Sequence, residues 1–192
     1  MIKLLFASSN QHKIEEIRSI IPCKYELVSL SDIGFTEEIP ETSTTIEGNA
    51  IQKATFLSQK LDIPCFADDT GLCISTLNGE PGVYSARYAG DKKNTKDNIE
   101  LVLKKLQGKS NREAYFETVI ALYIHGEIHV FSGKVEGKIT QDCKGTNGFG
   151  YDPIFQPNGF TKTFAELTSD EKNQLSHRKL ALTKMMTYLE QK

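Results

Sequence analysis

The sequence predicts an α/β fold: a mixed central β-sheet with a long hairpin, flanked by three or four helices. Three observations point there. Short apolar runs at Ile2 to Ala7, Tyr25 to Leu30 and Pro64 to Ala67 alternate with stretches whose apolar residues recur at helical spacing. Thr44-x-x-Glu47 and Thr168-x-x-Glu171 match the reciprocal capping pattern that opens helices. Tyr115 to Ile124 and Glu127 to Lys134 have strand character and are separated only by His125-Gly126, a hairpin turn.

In chain order, Ile2 to Ala7 reads as a buried strand and Ser8-Ser9-Asn10 interrupts it. Ile14, Ile17 and Ile21 form one stripe of a helix over Lys13 to Ile21, which Pro22 stops. Strand, polar loop and helix in this order aim the backbone N–H groups of a helix start at whatever lies above the strand's end. Tyr25 to Leu30 is the second strand. After an acidic stretch from Thr36 to Asn49, the capping box at Thr44 opens a helix with Ala50, Ile51, Ala54, Leu57 and Leu61 on its apolar face. Asn49 and Lys53 stand four apart on a neighbouring face. The strand at Pro64 to Ala67 is expected to end at Asp68-Asp69, and strand character resumes from Leu72 to Leu77 before Asn78-Gly79 turns the chain. Residues 81–90 read as an irregular loop, and Asp97 to Gln107 as an amphipathic helix closed by Gly108. Gly145 to Gly150 is a glycine-rich loop, and Leu175, Leu182, Met186 and Leu189 give the last helical region its apolar stripe.

The 192 residues suit one domain over the whole chain, with a core large enough to need no disulfide or metal staple. Cys23, Cys65, Cys73 and Cys143 are scattered with no Cys-x-x-Cys pair, so they read as thiols in a reducing cytosol. No apolar run approaches the ~18 residues of a membrane span. The net charge of −2 removes the sequence-independent attraction that nucleic-acid binders rely on, while leaving room for a small anionic substrate held by a few placed cations.

Five segments carry chemistry. Ser8-Ser9-Asn10-Gln11-His12-Lys13 gathers hydroxyls, amides and a cation at a helix start, which suits either phosphate oxygens or an ordinary polar turn; the glycines of a Walker loop are missing. Asp68-Asp69-Thr70-Gly71 places two adjacent carboxylates after an apolar strand. They call for a neutralising cation such as Mg²⁺ or for a solvated turn. Glu41 is one acid in an acidic loop. In Gly145 to Asp152, the glycines allow close approach, Phe149 and Tyr151 offer rings for stacking and Asp152 an acceptor for a nucleobase N–H; a structural hairpin would also account for it. Lys172 with Ser176-His177-Arg178 is a basic cluster near the start of the last helix.

Taken together and in this order, the set resembles the inosine triphosphate pyrophosphatase family. The matching segments are Ser-Ser-Asn-x-x-Lys (8–13), PETSTTIEGNA (40–50), Lys53, ADDTGL (67–72), GxYSARYAG (82–90), FGYDPIF (149–155) and AELTxxEKNxxSHR (165–178). Two positions depart from the family pattern. Ser9 replaces the usual glycine of Thr-Gly-Asn and puts a side chain where phosphate approaches, and Gly48 stands where many members carry Glu, leaving Glu47 as the nearest acid.

The resemblance implies two lobes around an active-site cleft, a homodimer, and Mg²⁺-dependent hydrolysis of ITP, dITP and XTP to the monophosphate and pyrophosphate. That activity would cleanse the nucleotide pool of purines otherwise incorporated into DNA and RNA. It also implies the site residues. Ser8, Ser9, Asn10, Gln11, His12, Lys13, Lys53 and Thr70 would contact phosphate, and Arg87 is a further candidate. Glu41 and Asp69 would bind Mg²⁺ with Asp68 beside them, and Asp69 would accept the proton. Phe149, Gly150, Tyr151, Asp152, Lys172, His177 and Arg178 would hold the base. The competing readings are a pyrophosphatase for modified pyrimidines, a non-catalytic nucleotide sensor and, remotely, a nucleic-acid-binding module. The GTNGFGYD and SHR segments speak against the first, and the clustered acids against the second.

Overall fold

In the computed structural model, which describes residues 2–191, six strands form one mixed sheet in the order β2-β1-β3-β4-β5-β6. The strands are β1 (Ile2–Phe6), β2 (Tyr25–Ser29), β3 (Cys65–Ile74), β4 (Glu113–Ile124), β5 (Glu127–Ile139) and β6 (Phe155–Pro157). The helices are α1 (Gln11–Ile20), α2 (Ile46–Leu61), α3 (Thr95–Lys105), α4 (Ser169–Leu175) and α5 (His177–Glu190). The chain divides into two compact units. One comprises the chain up to Asp69, Thr118–Gly133 and Arg178 onward; the other comprises Thr70–Glu117 and Lys134–His177.

In the first unit β1 lies parallel to β2 and to β3, with Leu5 opposite Cys65 and Phe6 opposite Phe66. Parallel strands need a crossover, and α1 and α2 supply it. The Phe6 and Phe66 rings stack at 4.8 Å, and around them Ile14, Ile17, Ile120, Leu122, Leu182 and Met185 form the core. Ile14 and Ile17 of α1 and Leu182 and Met186 of α5 bury as expected, Ile21 and Leu189 only in part. Leu175, expected on the same stripe as Leu182, lies in α4 and packs against the core of the second unit. Asn10 caps α1, its side chain accepting from the Lys13 N–H at 3.3 Å, so the helix starts two residues before the sequence reading. The α2 cap also shifts by one: Thr45, not Thr44, accepts from the Gly48 N–H at 3.0 Å.

The second unit has its own core of Leu72, Ile74, Val102, Leu106, Phe116, Ile154, Phe155 and Phe164. Residues 81–90, read as irregular, carry a six-residue 3₁₀ segment from Gly82 to Arg87. The capping box at Thr168 and Glu171 is formed on both sides. It opens only the short α4; Ser176 adopts an extended backbone and α5 starts afresh at His177. His125 and Gly126 both take positive φ, 52° and 81°, as a two-residue hairpin turn requires.

The largest correction concerns β3. The strand does not stop at Asp68-Asp69 but runs ten residues through them. Successive strand residues face opposite ways. Asp68 is fully buried while Asp69 is only partly so, and the burial of Asp68 is tolerated because two cations meet it.

Candidate functional site

The parallel register positions the first cluster. Because Phe6 pairs with Phe66, the loop from Ser8 to Asn10 leaves β1 level with Asp68 on β3. Ser8 accepts from the Asn10 N–H at 3.2 Å and so shapes the turn, and α1 then carries Lys13 back over the strand ends. Lys13 Nζ donates to Asp68 Oδ1 at 2.9 Å, and Arg178 Nε donates to Asp68 Oδ2 at 3.1 Å. Arg178 Nη1 also pairs with Glu16 on α1. This is an alternating chain of four charges, Lys13, Asp68, Arg178 and Glu16, with Asp68 and Arg178 almost wholly inside the protein. Burial alone would push Asp68 up. Lys13, Arg178 and Lys53 outweigh it and hold the carboxyl well below the usual carboxylate range. Lys13 goes the other way: burial lowers it, and Asp68 restores only part.

A second cluster adjoins it. Lys53, buried on α2, pairs with Glu41 and stands 3.9 Å from Asp69 Oδ1. Burial acts to lower Lys53, but Asp69, Asp68 and Glu41 together raise it, so it stays an ammonium. Asp69 is raised, chiefly by burial and further by the negative charges of Glu41 and Asp68, against the pull of Lys53 and Lys13. The loop bearing Glu41 is tied to α2. The Thr42 N–H donates to Gln52 Oε1 at 2.9 Å, and the Ser43 N–H donates to Asn49 Oδ1 at 2.9 Å. Gly48 belongs to the same joint, since a Cβ there would collide with the Ser43 hydroxyl. Glu47 is exposed in the first turn of α2.

Among the described residues no three His, Cys, Asp or Glu side chains are grouped to hold a metal by themselves. Mg²⁺ does not need such a group. It is commonly held by one or two carboxylates together with substrate phosphates and water. Glu41 and Asp69, already gathered around one cation, the Lys53 ammonium, are such a hard-oxygen pair. Asp68 is bonded to Lys13 and Arg178 through both oxygens, which makes it the charge partner of the cations rather than an outward-facing acid.

The second unit holds the other predicted residues. Asp152 Oδ2 accepts from Lys172 Nζ at 2.7 Å and from the Phe149 N–H at 2.8 Å. The Lys172 ammonium lies 4.8 Å from the centroid of the Phe149 ring, within cation–π reach. A ring, a carboxylate and an ammonium are thus held as one piece by the turn from Gly148 to Asp152. Gly148 takes φ +74°, and a Cβ there would collide with the Asp152 carboxylate. Gly148→Ala is expected to cost about 1–3 kcal/mol in urea unfolding through the positive φ alone, and to displace Asp152. A variant as stable as the parent would show that the turn tolerates a side chain.

Tyr151 turns away, its hydroxyl donating to the Ser85 carbonyl at 2.8 Å. The His177 ring stacks on Phe116, 4.8 Å between centroids and 15° between planes. Arg178, grouped with the base-holding residues in sequence, has its guanidinium on Asp68 and Glu16. Gln11, His12 and Ser9 are exposed, Thr70 is half-buried on β3, Gly150 is half-buried and Arg87 lies over Tyr84.

Sequence reasoning missed Glu16 as part of the first cluster and Asn49 and Gln52 as parts of the second. Asn49 had a signal: a polar residue one turn before Lys53 on the same helix. Glu16 had none, because its partner is 162 residues away. It also missed Asn98 on α3, whose side chain donates to Ala86 O at 3.1 Å and accepts from the Ala89 N–H at 2.7 Å, holding the 81–90 segment in shape.

Comparison with known proteins adds the family. The Ham1 family profile matches residues 4–188. A protein of Flavobacterium johnsoniae named dITP/XTP pyrophosphatase, a hydrolase, is 53% identical over 188 residues, covering 98% of both chains. The structure of a HAM1 protein from Coxiella burnetii superposes with TM-score 0.91 at 36% identity over 100% of both chains. That of the Staphylococcus aureus Ham1 protein gives 0.89 at 41% identity over 98% of both.

Proposed function

The chain belongs to the Ham1 family, and from that premise we propose that it hydrolyses dITP, ITP and XTP to the nucleoside monophosphate and pyrophosphate. One observation carries the reading: Lys13 and Lys53, two lysines set among Glu41, Asp68 and Asp69 beside the start of α1. That is a place prepared for a polyanion and its counter-ion.

The phosphates enter over the Ser8–Lys13 turn, where the N–H groups at the start of α1 favour negative charge. Lys13 and Lys53 neutralise it as point charges. Glu41 and Asp69 would hold Mg²⁺, which when bound supplies charge neutralisation at the phosphate oxygens and the departing pyrophosphate. Asp69 orients a water for in-line attack on the α-phosphorus and takes its proton. The new O–P bond forms as the bond to the α–β bridging oxygen breaks and pyrophosphate leaves. The raised pKa of Asp69 makes it a better acceptor than a free aspartate. Asp68 keeps Lys13 and Arg178 in place.

The residues that the family resemblance assigns to the base lie in the second unit, apart from Arg178. Phe149 offers a face for stacking, and Lys172, steadied by Asp152, offers a donor to a 6-oxo purine. Adenine presents an amino group there, which gives the ammonium no acceptor and is rejected on that account. His177, held flat against Phe116, borders the same group of residues in sequence.

The reading carries with it the removal of aberrant purines from the nucleotide pool, a homodimer, and a cytosolic setting that suits four cysteines without disulfides. No helix among the described residues is long and apolar enough to cross a membrane.

A panel of ITP, dITP, XTP, GTP and ATP, with and without Mg²⁺, tests it by reading pyrophosphate against orthophosphate. Pyrophosphate released from the first three, far faster than from ATP and only with Mg²⁺, is the expected result. Orthophosphate release, or equal rates across the panel, would overturn the reading.

A further inference from the structure

Asn49 has no part in the reaction described above, yet its amide is only 2% exposed, near the start of α2. Its two ends go to different places. Oδ1 accepts from the Ser43 N–H at 2.9 Å, in the loop that carries Glu41. Nδ2 donates to Asp69 Oδ2 at 3.3 Å, across 20 residues of chain. One planar amide therefore spans from the Glu41 loop to the Asp69 carboxylate.

We propose that Asn49 is a positioning residue that sets the spacing between Glu41 and Asp69 and fixes the rotation of the Asp69 carboxylate. This rests on the reading of those two acids as the metal-holding pair. A carboxylate has a broad, nearly two-fold rotation about its last bond. A donor fixed on Oδ2 selects one orientation and turns Oδ1 toward Lys53, 3.9 Å away, where the counter-charge gathers. An amide suits the task where an acid or a hydroxyl does not, because it presents a donor and an acceptor in one rigid plane. Aspartate would keep the acceptor for Ser43 but set a like charge against Asp69; serine is too short to reach both.

The neighbouring turn of α2 supplies an internal comparison. Gln52 also grips the loop, accepting from the Thr42 N–H and donating to the Thr42 hydroxyl, both at 2.9 Å. Its hydrogen bonds go to the loop and not to Asp69. If Asn49 served only to pin the loop, losing either amide would have the same consequence. If it also orients Asp69, its loss is the more severe.

The experiment uses Asn49→Ser, Asn49→Asp and Gln52→Ala in the full chain. Mn²⁺ affinity is read by electron paramagnetic resonance without nucleotide, kcat and KM by pyrophosphate release from ITP, and folding by thermal melting. Asn49→Ser is expected to weaken Mn²⁺ binding about tenfold and lower kcat about a hundredfold with KM within threefold, the range over which misplaced catalytic groups act. Gln52→Ala is expected to lose less than a third of that in both readouts. Asn49→Asp is expected to lose kcat at least as far as Asn49→Ser although it keeps the Ser43 contact, and it serves should Asn49→Ser melt too low to assay. Equal losses for Asn49→Ser and Gln52→Ala, or near-normal kcat in Asn49→Asp, would overturn the proposal. Failure of the parent protein to release pyrophosphate would instead count against the function, and the Mn²⁺ measurement would still decide the role of Asn49.

Discussion

Asp69→Asn is expected to remove turnover, by at least about a thousandfold in kcat, while nucleotide binding stays within about tenfold of the parent. The substitution keeps the size of the side chain and an oxygen within reach of the Asn49 amide, 3.3 Å away in the parent. It takes away the charge that faces Lys53 and the acceptor for the water's proton. Loss of one negative charge beside an incoming triphosphate does not oppose binding. The variant therefore separates binding from chemistry. Calorimetric titration with ITP gives the first, and pyrophosphate release gives the second. Turnover near that of the parent would take Asp69 out of the reaction.

Asp68→Asn is expected to act on stability instead. Asp68 is the shared partner of Lys13 and Arg178, and Arg178 is only 1% exposed. Removing one member of a buried ion pair leaves the other charge desolvated and costs about 3–5 kcal/mol. Here two cations lose a shared acid, while Arg178 keeps its pairing with Glu16. Urea unfolding of the two proteins measures the loss; a difference below about 1 kcal/mol would mean that the cations find other partners. The same acid predicts a pH dependence. Its pKa is depressed in the folded protein from an ordinary 3.8. A depressed acid stabilises fully above its unfolded value, and that contribution is lost as pH falls below it toward the folded value. The parent should thus lose stability as pH falls below about 4, more steeply than Asp68→Asn, which has no such group to protonate.

Much of the fold and of the candidate site was legible in the residues. The stripes of Ile14 and Ile17, of Ala50, Ala54 and Leu57, and of Leu182 and Met186 all bury, because helical periodicity states which face is apolar whatever it packs against. The hairpin at His125-Gly126 was legible as well, since a glycine-containing pair between two strand-like runs marks a turn, and the structure gives both residues the positive φ that such a turn needs. The strand through Asp68-Asp69 was not. Two adjacent acids argue for a turn unless cations are on hand, and those cations lie 55 and 110 residues away along the chain. The α2 cap was misplaced by one residue for a humbler reason: Thr44 and Thr45 are both good caps, and only the loop geometry set by Ser43, Asn49 and Gln52 chooses between them.

Arg178 teaches the same lesson at the site. Next to His177 in sequence, it reads as one more member of a basic cluster. In the fold the two side chains part company, His177 onto Phe116 and Arg178 onto Asp68 and Glu16. Lys53 likewise reads as a cation for phosphate, while its present neighbours are Glu41 and Asp69.

By itself, then, the order of residues determined the alternation of strands and helices, the apolar faces and the inventory of acids, lysines and rings, because each is a local property of composition and spacing. Only the tertiary structure decided which charge meets which. Pairing energies depend on separations of a few ångströms and on the exclusion of water, and neither quantity is written in the distance between two residues along a chain.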